Sequence, residues 1–129
     1  MSGTWEPVQA ITVTKEMLSR YLEVLPELDM AALDQTLPAT EITSGARLMK
    51  LQKEAWGEAD SLDDEQLEAL IRFFTLAEMQ LPGWAAGKTS PVIYLVKILK
   101  SRGAFDPELK RWIKANSDNR YLPNGAVML

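Results

Sequence analysis

The chain has 129 residues, a net charge of −4 and 47% apolar residues, enough for one domain with its own core. It contains neither cysteine nor histidine. That excludes thiol nucleophiles, Ser-His-Asp triads, imidazole bases and Cys- or His-built metal and haem sites.

Residues 1–13 read as an extended arm anchored by Trp5 and Pro7, with Ile11-Thr12-Val13-Thr14 short of any partner strand. A first helix is expected from Thr14, a candidate N-cap, through Met17, Leu18, Tyr21, Leu22 and Leu25. Pro26 ends it and is able to open a short second helix, whose apolar residues are Leu28, Ala31, Ala32 and Leu33 and which closes at Leu37-Pro38. A third helix is expected over 41–57, with Gly45 weakening its start by about 1 kcal/mol relative to Ala and Gly57 as a left-handed stop.

The fourth helix has the clearest start. Asp63 and Gln66 have capping-box spacing, and Leu62 and Leu67 occupy the hydrophobic-staple positions. Leu67, Leu70, Ile71, Phe74 and Ala77 continue one face up to Leu81-Pro82-Gly83. A loop over 82–90 follows. Ser90-Pro91 then starts a fifth helix that is apolar almost all round, as a central helix must be. Gly103 ends it, Asp106-Pro107 opens a sixth helix to about Asn116, and residues 117–129 form a turn-rich tail. The expected fold is all-α: a single domain over 1–129, a compact bundle of five or six helices with an extended N-terminal arm.

No segment approaches the ~18 apolar residues of a membrane span. The first residues show neither the basic nor the apolar region of a secretory leader, so a cytoplasmic protein is expected. Charge is uneven. Residues 1–87 hold 6 Lys and Arg against 15 Asp and Glu, and residues 88–129 hold 8 against 3. The two parts either attract each other within one fold or give the second a basic binding surface.

Three stretches invite a chemical reading. Gly83-Trp84-Ala85-Ala86-Gly87-Lys88-Thr89 resembles a phosphate loop but has three residues between its glycines instead of four, and it follows a helix instead of a strand. The acidic run Asp60, Asp63, Asp64, Glu65 and Glu68 lacks the alternation and central glycine of a calcium loop, and acids in a first helical turn are favoured by the helix dipole. Residues 91–116 resemble a helix-turn-helix, with Gly103 in the turn and Ile98, Ala104, Leu109 and Trp112 at its apolar positions. That pattern is broken by Leu99 at the close crossing, by Arg102 at an apolar place and by Pro107 at the start of the second helix. Its outer face, Lys110, Arg111 and Lys114, is the candidate nucleic-acid surface.

Tyr21, Phe73, Phe74 and Trp112 fall on apolar stripes and read as core. Trp84 and Tyr121 have no stripe to explain them. With Lys88 and Arg120 beside them they form a candidate partner-binding surface of large amphipathic rings and adjacent charge. No catalytic, metal or cofactor constellation emerges. The leading expectation is a non-enzymatic interaction or regulatory module with an unidentified protein partner. A nucleic-acid-binding regulator is the alternative, and no membrane is expected.

Overall fold

A computed structural model describes residues 12–123, which fold as an all-α bundle with no strand among them. Six α-helices follow in order: α1 (Lys15–Val24), α2 (Leu33–Thr36), α3 (Ala39–Leu48), α4 (Asp64–Gln80), α5 (Pro91–Ser101) and α6 (Pro107–Asn116). A 3-10 segment, Lys53–Ser61, joins α3 to α4. No helix among the described residues is long and apolar enough to cross a membrane.

Helix α4 begins as its sequence requires. Asp63 accepts from the Gln66 N–H at 2.8 Å, and the Gln66 side chain takes the Asp63 N–H at 3.0 Å. Leu62 and Leu67 are both buried at the staple positions. Thr14 caps α1, Ser90 caps α5 and Asp106 caps α6, the last two followed by proline. Helix α5 packs along α4, and the seven residues Leu67, Leu70, Ile71, Phe74, Leu95, Val96 and Leu99 are all buried in that contact layer and its surroundings. Gly103, at φ +69°, supplies the left-handed residue that stops α5.

Between α1 and α4 the chain departs from the expected two helices. Pro26 sits in a single 3-10 turn, Leu25–Glu27, and α2 forms only at Leu33–Thr36. Asp29 turns the chain by accepting the Ala31 N–H. The Gln80 amide then accepts from the Leu33 N–H and donates to the Met30 carbonyl, both at 2.8 Å. The expected helix over 41–57 is likewise split at Met49. The Met49 carbonyl accepts the Thr89 hydroxyl at 2.8 Å, and the Ala55 carbonyl accepts the Val13 N–H at 2.8 Å. Gly57 lies inside the 3-10 segment without a positive φ, so it is not the left-handed stop.

Val13 is fully buried, so the end of the N-terminal arm lies on the bundle. Trp5, Pro7 and Ile11 fall outside the described residues, as do Asn124 and Gly125 of the tail.

Candidate functional site

Of the four residues expected to form one exposed surface, Trp84 does not belong there. It is 0% exposed. Its indole N–H donates to the Ile42 carbonyl of α3 at 2.8 Å, and its ring packs edge-on against Phe73 at 6.0 Å and stacks with Phe74 at 6.3 Å. Gly45 makes the fit feasible, since a Cβ there would come within 2.1 Å of the indole Cζ2. The glycine that weakens α3 as a helix is the space into which the ring docks. Trp84 is an internal anchor for the loop that carries it.

The loop and the tail do meet. Glu78, on the buried side of α4, is only 7% exposed and accepts three hydrogen bonds. The Ser90 hydroxyl donates to it at 2.5 Å, the Ala86 N–H at 3.2 Å and the Asn119 amide at 3.3 Å. The same Asn119 amide donates to the Gly87 carbonyl at 2.9 Å, while its oxygen accepts the Tyr121 N–H at 3.0 Å. One carboxylate and one amide therefore hold α4, the loop and the tail together. Burial pushes the Glu78 carboxyl above the usual range, and the Ser90, Ala86 and Asn119 hydrogen bonds oppose that rise.

Between these walls lies a groove of about 360 Å³ bordered by Met79, Ala85, Ala86, Arg120 and Tyr121. Met79 is 46% exposed, the one large apolar side chain so exposed among the described residues. Its sulfur accepts the Asp118 N–H at 3.4 Å. Tyr121 is half-buried and Arg120 exposed. Lys88 is exposed on the short turn of the loop but does not border the groove.

Lys110, Arg111 and Lys114 are all exposed on α6, opposite the buried Leu109 and Ile113. Helix α6 packs chiefly on α4, with the Arg72 guanidinium 4.8 Å from the Trp112 ring centroid. Trp112 is accordingly half-buried and not in the core. Arg102 pairs with Asp64 at 2.9 Å and donates to the Asp60 carbonyl at 2.7 Å, so part of the basic half is bound to the acidic half.

Of the other acids of the run, Asp63 is engaged in capping and Glu68 with Arg72 at 2.9 Å. In the loop that resembles a phosphate loop, Gly83 and Gly87 take φ of +80° and +56°, and the Ser90 hydroxyl already accepts the Val92 N–H at the start of α5.

Glu78, Met79 and Asn119, which shape the groove, are not singled out in the sequence. Glu78 had a signal. It stands at i+4 from Phe74 and i+7 from Ile71, on the stripe that the apolar residues define. An acid at a core position needs polar partners from elsewhere in the fold. Compared with known families, characterised proteins and solved structures, the chain matches no family model, no characterised protein and no solved structure.

Proposed function

We propose that the chain is a non-enzymatic cytoplasmic interaction module that captures a protein partner in the groove between the 85–87 loop and the 117–121 tail. The observation that carries this reading is Met79, an exposed thioether in a groove already shaped by Ala85, Ala86 and Tyr121. A flexible methionine and an amphipathic tyrosine suit recognition of an apolar side chain. Arg120 on the border and Lys88 nearby add positive charge, which favours a partner segment with acidic residues flanking that side chain. The test is capture of a partner from the host lysate by the wild type, by Tyr121→Ala and by Arg120→Glu. Both variants should lose the partner while unfolding at the wild-type temperature. Equal capture by all three overturns the reading.

The exposed triad Lys110, Arg111 and Lys114 supports nucleic-acid binding through α6 as a second reading. On that reading, a mixed-sequence duplex binds the wild type with strong salt dependence. Replacing all three residues with Ala weakens binding and flattens the salt slope. Binding that ignores salt, or that survives the triple replacement, counts against it.

A further inference from the structure

A second cavity lies on a different part of the molecule, between α1 and α3, and shares no bordering residue with the groove. Its volume is about 250 Å³. Met17, Val24, Leu37, Pro38 and Leu48 give it apolar walls, and Tyr21 lines it as well. Arg20 and Glu41, at its border, form an ion pair with each other.

Tyr21 is the unusual member. It is only 6% exposed, with its ring against Phe73 at 5.3 Å and Phe74 at 5.8 Å. The other buried hydroxyls among the described residues have acceptors: Thr75 donates to the Ile71 carbonyl at 2.7 Å, and Ser90 to Glu78. The Tyr21 hydroxyl forms no hydrogen bond with any described group. The hydroxyl is not enclosed, since among the described residues the one fully enclosed side-chain polar atom without a partner is the Trp56 indole nitrogen; the Tyr21 donor is therefore open to whatever occupies the cavity. Gly45 lets α3 approach the hydroxyl closely, since a Cβ at that position would stand 2.9 Å from its oxygen. A phenylalanine at position 21 would fill the aromatic cluster equally well, so the hydroxyl is not explained by packing.

We propose that this cavity binds a small, neutral, largely apolar molecule carrying one hydrogen-bond acceptor, which the Tyr21 hydroxyl engages. The walls supply the apolar contact area. The volume lies at the small end for ligand sites and suits a single ring or a short aliphatic chain. Arg20 and Glu41 neutralise each other at the border, so the site makes no demand for a charged group. Burial, with Glu41 next, pushes the Tyr21 hydroxyl up to about 12 while Arg20 pulls the other way, so it remains a protonated donor at neutral pH.

The experiment is an NMR titration of the full chain with acetophenone, with cumene, which has the same shape without the carbonyl, and with benzoate. Acetophenone should give saturable shifts confined to residues of α1, α3 and Leu37-Pro38. Tyr21→Phe should weaken it about tenfold, the value of one neutral hydrogen bond. Cumene should bind more weakly than acetophenone and with equal affinity to the wild type and Tyr21→Phe. Benzoate should bind least. Ser44→Trp, which leaves Tyr21 in place and fills the border from an exposed position, should abolish the acetophenone shifts while the rest of the spectrum stays folded. The proposal is overturned if acetophenone gives no saturable shifts, if they map elsewhere, if Tyr21→Phe binds it as tightly, or if benzoate competes on equal terms.

Discussion

The two walls of the groove are held by different physics. The loop wall hangs from Trp84, an aromatic side chain with no exposed surface, seated against Phe73 and Phe74 and hydrogen-bonded to α3. The tail wall is tied to the groove by polar contacts, above all the Asn119 amide on Glu78 and Gly87, with Leu122 buried behind it. Apolar anchoring of this size is worth several kcal/mol and is insensitive to pH and salt. A few neutral and charge-assisted hydrogen bonds contribute about 1 kcal/mol each and respond to protonation. One wall is therefore a fixed template, and the other is the part that a change of conditions can loosen.

That contrast is broken most severely at Trp84. Trp84→Ala should cost about 3–5 kcal/mol, as truncation of a buried aromatic does, and a urea or thermal unfolding curve reads this directly. A loss under about 1 kcal/mol would mean that the loop wall is not anchored this way.

Gly45→Ala probes the same anchor from the other side. A helical position ordinarily gains about 1 kcal/mol from Gly to Ala. Here the new Cβ meets the indole at 2.1 Å, so overpacking should turn the change into a loss of about 1–3 kcal/mol. The unfolding midpoint gives the sign.

Asn119→Ala addresses the tail wall. It removes the amide from Glu78 and Gly87 and should cost about 1–2 kcal/mol, with faster amide exchange at Tyr121 and Leu122 and little change in α4. A global loss comparable to that of Trp84→Ala would erase the distinction between the walls.

The smallest effect concerns pH. The Glu78 carboxyl is raised above its ordinary 4.5, chiefly by burial. A group raised in the folded state favours folding while protonated, and that contribution is lost as pH rises from about 4.5 through the raised value. Glu78→Gln cannot titrate. The stability of the wild type relative to Glu78→Gln should therefore fall as pH is raised from about 4 toward neutrality, measured by unfolding midpoints of both proteins. Parallel midpoints across that range would contradict the burial argument.

How much of this was legible in the sequence follows from where each element finds its hydrogen-bond partners. Helices α4, α5 and α6 are closed by their own neighbours: Asp63 with Gln66, Ser90 with Val92, Asp106 with Glu108, and Gly103 at a positive φ. Their limits can be read residue by residue. The segment between α1 and α4 is shaped from a distance. Gln80 takes both the Met30 carbonyl and the Leu33 N–H, and Thr89 and Val13 take carbonyls on either side of the break after α3. Apolar spacing alone cannot reveal hydrogen-bond partners 40 or more residues away, so it reads as continuous helices there.

The site was legible in part for the same reason. Glycines and prolines marked the loop and the tail as turns, and both proved to border one groove with Arg120 and Tyr121 on its rim. The sequence does not place Trp84 correctly, because a tryptophan between glycines has no periodicity to declare its burial. Its socket is Gly45, which in the sequence is only a poor helix former. Met79 was missed because one exposed apolar residue on a long amphipathic helix is ordinary until the groove around it is seen.

The central claim is that the groove around Met79 is where a protein partner binds. It is tested most directly by comparing partner capture from the host lysate by the wild type, by Met79→Asp, and by the triple replacement of Lys110, Arg111 and Lys114 with Ala. The account predicts that Met79→Asp loses the partner with its unfolding midpoint within about 3 °C of the wild type, while the triple variant keeps it. Undiminished capture by Met79→Asp would contradict the account, as would loss of the partner from the triple variant alone.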